Sequence, residues 1–245
     1  MKIRVIESCG STNEELKKDI LSLPEGSPLP PAVMAIEQIA GKGRSGRSFS
    51  SAYGKGLYLS LPVELTSVKE ALPIMPMVSV CVSRAIESEC AIECGIKWPN
   101  DILINGRKLC GILSELVPHD GHIYAVIGIG VNLSQEEDDF PGELREKAIS
   151  LKQACGKNIE AYGLADILLS NIENMIKALP EGKADILEYY RSRCSLIGKE
   201  INVYFSENSD PEKAEAIEIT EDFRLRVRWG NGSCEILNTG EVSVR

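Results

Sequence analysis

The segment Gly41-Lys42-Gly43-Arg44-Ser45-Gly46-Arg47 is the richest in residues that could do chemistry. It satisfies G-x-G-x-x-G, the pattern of a dinucleotide-binding turn. That use requires a helix to open directly after the glycines, so that its N-terminus meets a pyrophosphate. Here the alternation Leu57, Leu59, Leu61 predicts a strand instead. A P-loop fails as well, because no G-K-[ST] follows. What remains is a glycine-rich loop with four cations, Lys42, Arg44, Arg47 and Lys55. Such a loop suits a polyanion that must be closed over and later released. Its plain alternative is a solvated linker with incidental charge.

Three further segments carry chemistry. In Lys97-Trp98-Pro99-Asn100-Asp101 a compact ammonium sits in a stiff apolar setting, where it could neutralise charge developing on a phosphate. A Trp-anchored structural turn with a surface lysine fits the same residues. Ser11-Thr12-Asn13 reads alone as a helix cap, and otherwise as small polar groups aimed at a neutral hydrogen-bonding ligand, as Gln38 could be. Gly128-Ile129-Gly130-Val131-Asn132 is a strand whose glycines let another group approach its backbone.

The elements that must position these residues follow from periodicity. Lys2–Ile6 reads as a strand. Ser11 to Glu14 has a capping-box pattern, followed by a helix with Leu16, Ile20 and Leu23 inward. Ala32–Gln38 is a buried strand, and Ile74 to Ile86 recur at helical spacing. Ile92–Ile96 begins a strand. Ile102–Ile104 and Lys108–Leu116 flank Asn105-Gly106, a type I′ hairpin signal. Tyr124–Val131 is a strand, Gln135–Glu143 an acidic solvated tip, and Leu164–Leu179 and Lys183–Arg193 are helices. After Leu196 short strand-like runs take over: Ile201–Phe205, Ala214–Thr220, Arg224–Trp229 and Cys234–Leu237, with a tight turn at Asn231-Gly232. Two domains are expected, 1–196 and a small all-β barrel at 197–245.

Composition narrows the function. The 245 residues carry a net charge of -9, which supplies no broad basic face for nucleic acid or an anionic membrane surface. No apolar run approaches the ~20 residues of a bilayer span, and Glu7 interrupts any signal-peptide stretch. A cytoplasmic protein is expected. Its eight cysteines include no C-x-x-C pair and read as reduced thiols, mostly buried. With two histidines, no zinc site is expected and no metal ligands are assigned.

Taken in order, these segments resemble the biotin protein ligase family. Its signature has a Ser-Thr-Asn run, a Gln before a G-R-G-R-x-G-R-x-W loop, a K-W-P-N-D run and a G-x-G-x-N strand. Here these read Ser11–Asn13, Gln38, Gly41–Phe49, Lys97–Asp101 and Gly128–Asn132. Lys108–Glu115 is similar to the family's K-x-x-G-I-L-x-E, and Gly240–Arg245 to its terminal G-E-[IV]-S. Lys42 replaces the loop's first Arg, and Phe49 replaces its Trp, which keeps an aromatic face without the indole donor.

The resemblance implies an α+β fold: a class II aminoacyl-tRNA synthetase-like mixed sheet with helices, plus a small SH3-like C-terminal β-barrel. It implies a ligase that forms biotinyl-5′-AMP from biotin and ATP, with Mg²⁺, and transfers biotin to a lysine of a biotin carboxyl carrier protein domain, of acetyl-CoA carboxylase or a related carboxylase. Ser11, Thr12, Asn13 and Gln38 would line the biotin pocket, and Lys42, Gly43 and Arg44 would contact biotin or its adenylate. Lys97 would sit between biotin carboxylate and α-phosphate, and with Arg44 would be catalytic. Arg44, Arg47, Phe49, Lys97, Asn100 and Asn132 would bind ATP or the adenylate. Only ten residues precede Ser11, so the form without the DNA-binding helix-turn-helix of some relatives is expected, with no DNA and no membrane partner. Homodimerisation stays open. Two rivals share the scaffold: a lipoate protein ligase, which lacks the G-R-G-R-type loop, and a catalytically dead ligand-binding protein.

Overall fold

The computed structural model describes residues 1–44, 46–205, 210–238 and 241–244. Ser45 of the glycine loop, and Gly240 and Arg245 of the terminal motif, lie outside the described residues. The first part of the chain gives β1 (Ile3–Cys9), α1 (Thr12–Leu21), β2 (Ala32–Gln38), β3 (Gly56–Leu65), α2 (Ala71–Cys90), β4 (Gly95–Lys97), β5 (Asp101–Ile104), β6 (Arg107–His119) and β7 (His122–Asn132). Then come α3 (Leu151–Cys155), α4 (Ala161–Ala178) and α5 (Lys183–Arg193). The last part gives β8 (Glu200–Tyr204), β9 (Glu212–Ile219), β10 (Leu225–Trp229), β11 (Cys234–Leu237) and β12 (Glu241–Val244).

Seven strands form one mixed sheet in the order β1-β2-β3-β7-β6-β5-β4, with β1 and β2 parallel and the other neighbours antiparallel. A separate antiparallel sheet has the order β11-β10-β9-β8-β12. The α+β class with a small C-terminal β unit is therefore the observed one.

Each face of the large sheet has its own cover. Leu57, Leu59 and Leu61 of β3 and Ile127 and Ile129 of β7 pack with α2 and α4 in the main core. On the opposite face Leu16 and Ile20 of α1 pack on Val33, Val117 and Val126. This double cover changes the reading of β3. Its leucines alternate as expected, but the residues between them are buried too, because α1 and the glycine loop roof the second face.

Helix α2, with the short turn before it, spans Val68–Cys90 and is long and apolar enough by composition to cross a membrane. Its apolar side chains are spent on the sheet instead, Val78, Val82 and Ile86 having no exposed surface.

Local corrections have simple causes. The capping box at Ser11 does not form: Ser11 is the N-cap but makes no side-chain cap bond, since Glu14 is drawn to Lys17 and Lys42. Leu23 lies beyond the end of α1 and is half-buried. Ile92 to Cys94 precede β4 and are not part of it. The acidic tip is only partly solvated: Gln135 is buried, and Asp139 pairs with Lys55 at 2.5 Å. Asn105 and Gly106 both have positive φ, 50° and 77°, as a type I′ turn requires.

The small sheet is joined to the large one through the K-W-P-N-D segment. Trp98 is buried and its Nε1 donates to the Phe223 carbonyl at 2.9 Å. The Phe223 ring meets Tyr190 of α5 edge-on, with centroids 5.7 Å apart. Phe223→Ala is expected to cost about 3–5 kcal/mol, the usual range for removing a buried aromatic ring. Urea unfolding followed by tryptophan fluorescence measures it. A loss below about 1 kcal/mol would mean that the small sheet contributes nothing to holding Trp98.

Candidate active site

The site grows from the N-terminal turn of α1, which drops onto the helix-covered face of β3 and β7. Ser11, Thr12 and Asn13 are each 3% exposed. The Thr12 N–H, an orphan donor at the helix start, gives a hydrogen bond to Gln38 Oε1 at 2.8 Å. Gln38 is held in turn, its Nε2 donating to Ser51 Oγ at 2.9 Å. Asn13 Nδ2 donates to Glu115 Oε2 at 2.7 Å, and Lys17 Nζ sits 2.5 Å from the other Glu115 oxygen. Beneath them Ser60 Oγ lies 2.7 Å from Thr12 Oγ1 and 2.6 Å from Asn13 Oδ1. The result is one polar wall, mostly of neutral groups, anchored at one end by an ion pair.

The glycines of β7 explain how the wall fits. A Cβ on Gly128 would stand 2.4 Å from Asn13 Oδ1, and one on Gly130 would stand 2.7 Å from the Phe49 ring. Gly111, paired with Gly130 across the β6–β7 ladder, faces the same ring and the end of the Lys108 side chain.

The glycine loop is a hairpin that folds over this wall. Lys42 and Ser48 form an antiparallel bridge, Gly43 N–H donates to Arg47 O at 2.7 Å, and Phe49 N–H donates to Gly41 O at 2.8 Å. Ion pairs tie both ends down: Lys42 to Glu14 of α1 at 2.5 Å, and Lys55 to Asp139. Hydrogen bonds from Lys42 and Lys17 pull the Glu14 carboxyl down to about 2. The folded-state value lies below the ordinary ~4.3. The Glu14 contribution is therefore present above that value and fades as pH falls toward 2.

The cationic end of the cleft is built from three elements. Arg44 Nη1 donates to Asn100 Oδ1 at 3.2 Å, while Asn100 Nδ2 donates to Ile112 O at 2.8 Å. Burial strips water from the Arg44 guanidinium and lowers its pKa against the pull of Asp101. Lys108 pairs with Asp101 at 2.7 Å. Lys97 ends β4 opposite Asp101, and burial pushes its ammonium pKa down, Asp101 opposing and Lys108 and Arg47 adding to the shift.

A single cleft collects most of the expected residues: Ser11, Thr12, Asn13, Gln38, Lys42, Gly43, Arg44, Phe49 and Asn100 line it. Lys97, Arg47 and Asn132 are not among the lining residues. Asn132 is buried, its Nδ2 donating to Ile149 O at 3.2 Å and its Oδ1 accepting from Gln135. Lys108 lines the cleft as well. Sequence reasoning quoted Lys108 within K-x-x-G-I-L-x-E but gave it no role. Ser60 and Ser51 left no local signal, and Glu115, which ends that same run, was likewise given no role; the tertiary fold brings them to the wall. The enclosed space is about 50 Å³, far below the ~300 Å³ at the lower end of ligand pockets. Phe49 and Arg44 of the glycine loop are among the residues that line it.

Residues 5–132 match the biotin/lipoate A/B protein ligase family, more than half of the chain. The chain belongs to that family. Among relatives, the bifunctional ligase/repressor BirA of Bacillus spizizenii is 40% identical over 167 residues, 67% of this chain and 50% of that protein. A biotin–[acetyl-CoA-carboxylase] ligase of Mycobacterium tuberculosis is 28% identical over 98% of this chain and 88% of its own length. The chain spans about half the length of the Bacillus relatives it matches. A solved biotin protein ligase of Aquifex aeolicus, in complex with biotin and ATP, is 25% identical with a TM-score of 0.78, covering 100% of this chain and 98% of that one. Most of the motif segments that suggested the family thus contribute residues to the cleft of this biotin/lipoate ligase-family fold.

Gly130→Ala tests the loop's seat. The added methyl would displace the Phe49 ring, and the hairpin above it should lift. Cleavage by trypsin at Lys42, Arg44 or Arg47 is expected to accelerate about tenfold while global stability changes by about 1 kcal/mol or less, because the ring can swing into solvent. Unchanged cleavage would mean that Phe49 does not hold the loop down.

Proposed function

We propose that the chain is a biotin–protein ligase, which activates biotin with ATP and transfers it to a lysine of a biotin carboxyl carrier protein domain. One observation carries the reading: a single cleft joins a neutral hydrogen-bonding wall of Thr12, Asn13 and Gln38 to a cationic end containing Arg44 and Lys108. A neutral ring with polar edges suits the first, and a carboxylate meeting a phosphate suits the second. The Aquifex aeolicus structure, solved with biotin and ATP, supports the same pairing of ligands. The name of the Mycobacterium tuberculosis relative, a biotin–[acetyl-CoA-carboxylase] ligase, supports the carrier. Only the ligase part of the Bacillus protein's name is proposed here, because a net charge of -9 offers no basic face to DNA.

Two steps follow. The biotin carboxylate oxygen bonds to the α-phosphorus of ATP as the α–β phosphoanhydride bond breaks and pyrophosphate leaves. The carrier lysine amine then attacks the acyl carbon, AMP departs, and the amine proton is released. No protein nucleophile is required. Arg44, Lys97 and Lys108 would stabilise the charge that gathers on phosphate. Mg²⁺ would arrive on the ATP phosphates as part of the substrate, since no group of three or more potential metal-binding side chains occurs among the described residues. The hairpin, closed over the anhydride, would keep water out.

Exchange of labelled pyrophosphate into ATP tests the reading. It should depend on biotin and not on lipoate; dependence on lipoate, or no exchange with either acid, would overturn it. Lys97→Ala should stay folded and lose at least ~2–4 kcal/mol of barrier stabilisation, as when one charge-stabilising donor is removed, and Lys108→Ala should lose as much or more. Exchange at near wild-type rate would make the lysine concerned structural.

Arg44→Gly is expected to separate making the adenylate from keeping it. The two lysines still serve the first step, but the closed loop loses a charge-assisted contact of roughly 1.5–3 kcal/mol, or about one to two decades in off-rate. Mixed with biotin, ATP and albumin, the variant should biotinylate albumin, whereas wild type labels only its carrier. A variant that forms adenylate, retains it and stays carrier-specific would remove Arg44 from the latch.

A further inference from the structure

The polar wall has fewer protons than contacts. Ser60 is fully buried, and its Oγ stands 2.6 Å from Asn13 Oδ1 and 2.7 Å from Thr12 Oγ1. Thr12 Oγ1 stands 3.1 Å from Gln38 Oε1. Both amides are fixed in orientation. Asn13 turns Nδ2 to the Glu115 carboxylate, an acceptor, so its Oδ1 must face Ser60. Gln38 turns Nε2 to Ser51, whose own proton goes to the Phe49 carbonyl, and its Oε1 takes the Thr12 N–H.

Three oxygen–oxygen contacts remain, and the Ser60 and Thr12 hydroxyls supply two protons. One contact therefore has no hydrogen. O–H···O bonds favour about 2.7–2.8 Å, so the two short contacts take the protons and the 3.1 Å contact goes without. Thr12 donates inward to Ser60, and Ser60 donates to Asn13. Thr12 Oγ1 and Gln38 Oε1 are left as adjacent acceptors, on two residues that line the cleft.

We propose that Ser60, by drawing the Thr12 proton inward, creates an acceptor pair that takes a ring N–H of the acid being activated. This rests on the ligase reading and makes Ser60 a positioning residue that sets specificity. A cyclic urea supplies the missing hydrogen. A dithiolane ring has no N–H and would press two acceptors against apolar surface, which is unfavourable. Without the Ser60 hydroxyl, the Thr12 proton has no inward acceptor. It rotates to Gln38 Oε1, and the acceptor pair disappears.

The test is pyrophosphate exchange driven by biotin and by the two cyclic carbamates in which one ring N–H is replaced by oxygen. Wild type should prefer biotin over at least one carbamate by about tenfold in kcat/KM, the scale of one buried hydrogen bond. Ser60→Ala and Ser60→Cys, the second keeping volume but offering a poor acceptor, should each raise the biotin KM about tenfold with kcat within about threefold. In both, the preference over the carbamate should shrink to about twofold. Ser60→Thr keeps a hydroxyl and should restore the wild-type preference. A merely structural role would weaken all substrates together and leave the preference unmoved. That result, or an unchanged biotin KM in both variants, overturns the proposal while the ligase reading stands. If wild type shows no biotin-driven exchange, the ligase reading falls and this inference with it.

Discussion

The cleft depends on one missing atom. Asn13 sits where a side chain on Gly128 would be, at a separation no Cβ tolerates. With any other residue at 128 the Asn13 side chain could not keep its place. Asn13 would then lose Ser60 and Glu115, its two partners in the wall. A polar wall this far from water stands only if its members satisfy one another, because unpaired buried polar groups cost about 1–3 kcal/mol each. Tight approach and mutual satisfaction are thus the same requirement, and the G-x-G-x-N strand is its trace in the sequence.

That trace was legible, as were most elements around it. Ala32–Gln38 and Lys183–Arg193 end where periodicity and turn residues place them. Ser11, Thr12, Asn13, Gln38 and the hairpin were singled out by residue type, and they meet in one cleft. Other parts were not legible for a common reason. Ser60 lies among leucines in an apolar strand, and its use appears only when β3 pairs with β7 so that Ser60 faces Gly128. Lys108 lies in a run that was quoted without a role, and only the β5-β6 register sets it beside Asp101 at the cleft. The failed capping box is similar: Glu14 had a better partner in Lys42, distant in sequence.

The two sheets share more than a boundary. The indole of Trp98 is tied to the Phe223 carbonyl, and its neighbours Lys97 and Asn100 belong to the cationic end of the site. Tyr190 of α5 is fully buried against Phe223, and its hydroxyl donates to the Pro99 carbonyl at 3.3 Å. The segment that carries charge toward the cleft is therefore clamped from the side away from the ligand, which limits how far its cations can relax when a polyanion arrives.

The hairpin is fastened by unlike means. Its own backbone bonds, Gly43 to Arg47 and Phe49 to Gly41, are insensitive to dissolved ions, whereas the pairs at its two ends, Lys42 with Glu14 and Lys55 with Asp139, are partly exposed. At physiological ionic strength screening acts over about 8 Å, and it tightens as salt is added. Salt therefore loosens the attachment of the hairpin without unravelling the hairpin itself. What salt leaves in place is the Phe49 ring against Gly130 and the Arg44 bond to Asn100, so the hairpin keeps its seat after its outer ties weaken.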